Sequence, residues 1–328
     1  MACPGFSRYS AFPQGRPTVY LAPDFDPRKD AEVLRLAMKG LGTDEKTIIT
    51  ILCKRANVQR LDIALEYKTL YGKDLIQDLK SELSGNFRSL IVALMTPLSE
   101  FYAQELHNAM KGLGTDENCL IEIMCSLRNY EIKRVCNSYE KLFKRHLEND
   151  LVDDTSGHFR RLLRSLCTAN RNENQIANKE AAFNDVKDLL RAGELQFGTN
   201  EPIFNAVLCS RGFEQLLLIF EEYERVTGHT IEKAIKREFS GDAKDGLLAI
   251  VQCVRSIPDF FAERLYKSMK GLGTDDKTLI RIVVTRCEVD MVDIKEAFFR
   301  HYQKTLESFI EGDTSGDYKR CLLTLIQS

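Results

Sequence analysis

The sequence predicts an all-α repeat protein, and three observations carry that reading. One pattern recurs four times along 328 residues. Within each copy the apolar positions fall at helical spacing, and alternating β-branched runs joined by hairpin turns are missing. The first half of the pattern reads KGLGTDEKTII at Lys39–Ile49, KGLGTDENCLI at Lys111–Ile121, the variant ELQFGTNEPIF at Glu194–Phe204 and KGLGTDDKTLI at Lys270–Ile280. The second half reads KSELSG at Lys80–Gly85, VDDTSG at Val152–Gly157, KREFSG at Lys236–Gly241 and EGDTSG at Glu311–Gly316. From Gly42 to Glu82, Gly114 to Asp154, Gly198 to Glu238 and Gly273 to Asp313 the separation is 40 positions each time. The sequence between the halves changes and the spacing does not, as a shared metal site would require.

Taken in order, residues 1–25 form a tail. Pro4, Pro13, Pro17 and Pro23 punctuate it and no helical stripe develops, so an extended spacer lying on the core is expected rather than a partner-binding helix. The first repeat spans 26–97. Ala31, Leu34 and Met38 mark one helix face, closed by Gly40-Leu41-Gly42. Thr43 and Asp44 cap the next helix, which carries Ile48, Ile49, Ile51 and Leu52. Leu61, Ala64 and Leu65 predict the apolar face of a third helix, and Leu75, Ile76 and Leu79 that of a fourth. Ser84-Gly85 breaks the chain before Phe87, Leu90, Ile91 and Leu94 form a fifth. The same reading gives repeats at 98–168, 182–256 and 257–328, with a polar connector, ANRNENQIANK, opening a linker at 169–181.

Composition narrows the function. A net charge of −2 argues against a nucleic-acid protein and against simple polybasic attachment to anionic lipid. None of the ten cysteines forms C-x-x-C, and most, such as Cys53, Cys125, Cys167, Cys209, Cys253 and Cys321, stand alone in apolar helical stretches. Buried thiols in a reducing compartment are expected. The start MACPGFSRYSAF lacks the pattern of a signal peptide, and no stretch nears the roughly 20 apolar residues of a membrane span. A soluble cytoplasmic protein is expected. With five histidines and neither H-E-x-x-H nor G-x-S-x-G, an enzyme is not. No strand precedes GLG, which excludes a dinucleotide fingerprint.

The repeated pattern has a chemistry of its own. A helix ending on Gly-x-Gly leaves main-chain carbonyls without intrahelical partners. Calcium takes about six to eight hard oxygens and accepts carbonyls, carboxylates and water. Three loop carbonyls and a bidentate carboxylate supply about five, so a phosphate oxygen from outside can complete the shell. For one copy, a C-cap glycine and an acid near a helix terminus explain as much. Four copies at one spacing favour the metal site.

These motifs, KGLGTDE paired with [ED]-x-SG over residues 26–328, resemble the annexin family. The resemblance implies a slightly curved disk of four five-helix domains, with calcium loops on its convex face. It also implies reversible calcium-dependent binding to acidic, phosphatidylserine-like phospholipid, with self-association on the membrane compatible. Carried over, the Ca2+ sites use the carbonyls of Met38, Gly40 and Gly42 with Glu82, those of Met110, Gly112 and Gly114 with Asp154, and those of Met269, Gly271 and Gly273 with Asp313. The third loop departs from MKGLG; by resemblance its carbonyls are Gly193, Gln196 and Gly198, paired with Glu238. Auxiliary sites near Thr43 and Glu45 are weakly signalled. The loop tips Leu41, Leu113, Phe197 and Leu272 either fold inward or meet the headgroup–acyl boundary, and Lys39, Lys111 and Lys270 stand ready for phosphate. The family's polar central channel is matched by Glu105, Glu122 and Arg281. Tyr102 and Leu127 stand where an acid and an arginine usually pair, and joint loss of such a pair is physically tolerable. An alternative function is a membrane-associated scaffold recruiting a protein partner through the tail, although the tail lacks an amphipathic groove-binding helix.

Overall fold

Caps and glycine stops set the same order of five helices four times. The computed structural model describes residues 15–40, 42–173, 176–193 and 200–327. The first repeat contains α1 (Pro27–Ala37), α2 (Glu45–Leu52), α3 (Asn57–Tyr71), α4 (Leu75–Glu82) and α5 (Gly85–Leu94). The second contains α6 (Leu98–Met110), α7 (Glu117–Ser126), α8 (Asn129–Phe143), α9 (Leu147–Asp154) and α10 (Gly157–Cys167). The third contains α11 (Lys179–Ala192), α12 (Glu201–Ser210), α13 (Phe213–Thr227), α14 (Ile231–Glu238) and α15 (Gly241–Arg255). The fourth contains α16 (Ile257–Met269), α17 (Asp276–Arg286), α18 (Met291–Tyr302), α19 (Leu306–Asp313) and α20 (Gly316–Ile326). Among the described residues there is no strand, only an isolated bridge between Asn172 and Arg211. The connector ends at Asn178, whose side chain accepts from Ala181 N and caps α11. No helix among the described residues is long and apolar enough to cross a membrane.

The chain divides into two units. One takes Met1–Leu98 with Phe261–Ser328, and the other takes Ser99–Phe260. In the first unit α2 and α5 lie against α20, and α5 also against α17. Leu34, Ile48, Leu52, Leu90, Leu279 and Leu322 are wholly buried there. In the second unit α7 and α10 pack on α15. Removing each such side chain from water contributes about 1.5–3 kcal/mol, which is how eight- to fifteen-residue helices of modest intrinsic stability persist.

The third helix corrects the sequence reading. Leu65 is 67% exposed, while Gln59, Arg60, Ile63 and Tyr67 are buried. The inward face is partly polar, so apolar spacing pointed to the wrong side. Arg60, 1% exposed, donates through Nε to Leu52 O at 2.7 Å and through Nη1 to Leu94 O at 3.3 Å and Glu288 Oε1 at 3.2 Å. Burial pushes the Glu288 carboxyl up, opposed by the Arg60 guanidinium. Gln59 donates to Ala22 O and accepts from Ala22 N and Ala56 N. Burying such groups is tolerable only because partners wait for them.

The cysteines are free among the described residues, but they are not all solitary. Cys53 and Cys321 approach to 3.3 Å between sulfurs, and Cys136 and Cys167 to 3.8 Å. Pairs 268 and 31 positions apart in sequence are created by helix packing and leave no local signature.

The described part of the tail, from Gly15, is extended and tied down within the first unit. Thr18 N and Val19 N both donate to Cys287 O, at 2.8 and 2.9 Å, and Thr18 Oγ1 donates to Leu325 O at 2.6 Å. Arg16 pairs with Asp293 at 2.7 Å and Glu296 at 2.5 Å. A Cβ on Gly15 would come within 2.6 Å of Val289 O and 2.7 Å of the Asp290 Cβ, so this approach demands glycine. These ties join the tail to α18 and α20 and, through Gln59, to α3. A chain beginning at Asp26 is expected to melt several degrees lower than the full chain, because it loses the buried bonds of Thr18, Val19 and Ala22 at about 1 kcal/mol each. It is expected to sediment with acidic liposomes at the full chain's calcium level, because the tail supplies no site acid. Calorimetry and liposome sedimentation check the two halves of this statement.

Candidate functional site

Each candidate loop begins where the first helix of a repeat stops. In the first repeat Asp44 N donates to Ala37 O at 2.9 Å, in the second Asp116 N to Ala109 O at 2.8 Å, and in the fourth Asp275 N to Ser268 O at 2.7 Å. Each bond closes a loop across seven positions. Each of the three aspartates also caps the following helix, accepting from the amide three residues on, at 3.0, 3.0 and 3.2 Å. Within the closed loops the glycines repeat one geometry. φ is +121° and +92° at Gly40 and Gly42, +116° and +90° at Gly112 and Gly114, and +114° and +88° at Gly271 and Gly273. That geometry disfavours side chains and turns successive peptides, so that carbonyls can aim to one side. Among the described residues none of the Met110, Gly112, Gly114, Met269, Gly271 or Gly273 carbonyls accepts a main-chain hydrogen bond.

The acids occupy one structural position. Glu82, Asp154, Glu238 and Asp313 are the last residues of α4, α9, α14 and α19, all eight-residue helices. The serine two residues later stands at the N-cap position of the fifth helix without a side-chain cap bond, and with closely matched backbone angles: φ/ψ is −139°/167° at Ser84, −140°/168° at Ser156, −136°/168° at Ser240 and −145°/167° at Ser315.

Loop and acid meet. Thr43 Oγ1 donates to Glu82 Oε2 at 2.9 Å, and Thr115 Oγ1 donates to Asp154 Oδ2 at 2.7 Å. Thr274 Oγ1 donates to Asp313 Oδ2. Sequence reasoning missed this role for the threonines, considering Thr43 as a helix cap and for an auxiliary site. The signal was present, since threonine follows the last loop glycine in every copy. A carboxylate held against a loop whose remaining polar groups are main-chain and hydroxyl oxygens offers hard oxygen donors, the kind that calcium takes and a soft metal does not.

The third loop differs. Asn200 N donates to Ala192 O at 2.6 Å, so closure here spans eight positions, and Asn200 makes no side-chain cap. The Glu238 carboxyl carbon lies 3.6 Å from where a Gly193 Cβ would stand, so this acid too faces its loop. Leu41, Gln196, Phe197 and Gly198 lie outside the described residues.

Two of the loop tips point outward. Leu113 and Leu272 are fully exposed, at 110% and 109%. Lys39 and Lys111 are exposed, whereas Lys270 Nζ lies 5.3 Å from the Tyr266 ring centroid in a cation–π contact.

The annexin family model matches residues 29–94, 101–166, 184–250 and 260–325, one match per copy of the pattern. This chain belongs to the annexin family. It is 53% identical to mouse annexin A4 over 308 residues, covering 94% of this chain and 97% of that protein. It is 53% identical to human annexin A11 over 310 residues, covering 94% of this chain but 61% of annexin A11. The chain thus spans about three-fifths of that longer relative. Among solved structures, annexin III superposes with a TM-score of 0.95 at 45% identity, covering 96% of this chain and 98% of that one. Calcium-bound annexin (Sm)1 superposes with a TM-score of 0.87 at 38% identity, covering 96% and 93%. In this annexin Tyr102 and Leu127 are both buried, at 7% and 6% exposure, as packing groups would be.

A methyl group on Gly114 would meet nothing within 4 Å. Gly114→Ala therefore costs only the backbone conformation, on the order of 1–3 kcal/mol. The expected outcome is unchanged helical circular dichroism with a lowered melting temperature.

Proposed function

We propose that this annexin binds acidic phospholipid membranes reversibly when calcium rises. The observation that carries the reading is the recurrence, in the first, second and fourth repeats, of an acid that ends its helix and meets a glycine loop, with Glu238 beside Gly193 in the third. Met38, Gly40 and Gly42 with Glu82 form the first site. Met110, Gly112 and Gly114 with Asp154 form the second, and Met269, Gly271 and Gly273 with Asp313 the fourth. In the third, Gly193, Gln196 and Gly198 serve with Glu238. Bound Ca2+ supplies positive charge between the loop and a lipid phosphate. The protein's own work is to hold carbonyls and carboxylate in place and to leave the remaining positions open. With a net charge of −2, the chain has no electrostatic attraction of its own for an anionic surface. The exposed Leu113 and Leu272 then sit where they can enter the headgroup–acyl boundary, and Leu41 and Phe197 are assigned the same role. Lys39 and Lys111 are assigned to phosphate, with Lys270 sharing its charge with Tyr266.

The scaffold reading is less favoured. The described tail residues spend their hydrogen bonds on the protein's own first unit, which leaves residues 1–14 as the segment for a partner.

If lipid phosphate completes the coordination shell, calcium and membrane must tighten each other by the same factor. A calcium titration with phosphatidylserine liposomes is expected to show a lower midpoint than one without, with near-zero sedimentation in chelator. Equal midpoints would contradict the proposal.

A further inference from the structure

We propose that Thr43, Thr115 and Thr274 are positioning residues, whose hydroxyls hold the site carboxylates in the orientation that a calcium ion needs. The inference rests on the site reading above and deepens it. Three observations carry it. The same hydroxyl-to-carboxylate bond forms in three repeats, between residues 39 positions apart. It forms whether the acid is glutamate, as at Glu82, or aspartate, as at Asp154 and Asp313, although these differ in length by a methylene. It joins the loop half of the motif to the acid half directly, by a side chain fixed at the loop's last turn.

The physical reasoning concerns freedom of rotation. An acid on the last residue of a helix can turn about two side-chain torsions if aspartate, or three if glutamate, and many of those orientations face away from the loop. Fixing such a side chain on binding costs rotamer entropy. Threonine is stiff about its first torsion, and its hydroxyl is a donor fixed relative to the glycine carbonyls one residue before it. A donated hydrogen bond to one carboxylate oxygen removes much of that freedom before the ion arrives. It need not compete with the ion, because each carboxylate oxygen has two lone pairs. In the second and fourth sites the hydroxyl also lies 3.2 Å from the main-chain oxygen of the same aspartate, so it grips the end of the helix as well as its side chain. The sequence places Thr199 after Gly198 in the third copy, outside the described residues.

Valine matches threonine in shape and lacks the donor; serine keeps the donor. The test compares three full-length triple variants, changing Thr43, Thr115 and Thr274 together to Val, the same three to Ser, and Glu82, Asp154 and Asp313 together to Ala. Calcium binding is measured calorimetrically without lipid, beside the melting temperature in chelator. A hydrogen bond of typical worth predicts about fivefold weaker calcium binding per site for the valine variant. The serine variant is expected near wild type, and the alanine variant is expected to lose the three sites. Single Thr115→Val and Thr274→Val changes give the same reading should the valine triple fail to fold. Wild-type calcium affinity in the valine variant beside loss in the alanine variant would overturn the positioning role and leave the site assignment standing. Equal weakening by valine and serine would overturn it too, since the hydroxyl would not be the agent. A lowered melting temperature in chelator with unchanged calcium affinity would reduce the bond to a structural tie. Wild-type affinity in the alanine variant would overturn the site assignment itself.

Discussion

A main-chain hydrogen bond that ties the start of the second helix of each repeat to the end of its first sets the terms for everything around it. It joins Asp44 to Ala37, Asp116 to Ala109, Asn200 to Ala192 and Asp275 to Ser268. In the first, second and fourth repeats the loop so closed holds its glycines in conformations that other residues resist, and in the second and fourth the Met and Gly carbonyls accept no main-chain hydrogen bond among the described residues. Carbonyls left without partners cost free energy when shielded from water and gain it when a cation or a solvent molecule arrives. The rest of each repeat serves this loop. The short fourth helix stops on the acid, the chain turns at an extended serine, and the glycine after it starts the fifth helix.

In the proposed function, the same constraint accounts for dependence on a membrane. One carboxylate per site is a small charge to set against a divalent cation, so affinity in the absence of lipid is weak by comparison with loops rich in acids. What the protein withholds, the phosphate of a lipid can give. Weak separate sites on one chain then act through effective concentration, each engagement raising the chance of the next. Buried Arg60 shows the complementary rule for the interior, where a charged group persists with partners in reach, here Leu52 O, Leu94 O and Glu288 for its Nε and Nη1.

Much of this was legible in the sequence because it is local. The Gly-x-Gly stops, the aspartate caps and the Ser-Gly breaks each act within a few residues, and repetition separated them from chance. The common spacing of 40 positions expressed tertiary contact between loop and acid without any need to know the path between them. The inward face of α3 was not legible. Gln59 and Arg60 are buried because distant carbonyls and Glu288 receive them, and no helical period reveals that. The threonine bonds were legible in principle, since the residue recurs, yet threonine before aspartate reads first as a helix cap. The two close cysteine pairs and the anchoring of Arg16 and Thr18 are products of packing between segments far apart in the chain.

The central claim is that Glu82, Asp154, Glu238 and Asp313 together give this annexin its hold on membranes. The most direct measurement is sedimentation of the quadruple alanine variant with phosphatidylserine liposomes across a calcium series, with circular dichroism to establish its fold. Glu82 is exposed and Asp154, Glu238 and Asp313 are half-buried at helix ends, outside the apolar core, so the variant should fold at some cost in stability. The account predicts a folded protein that stays in the supernatant at calcium levels where the wild type sediments fully. A folded variant that sediments with the wild-type calcium midpoint would contradict it.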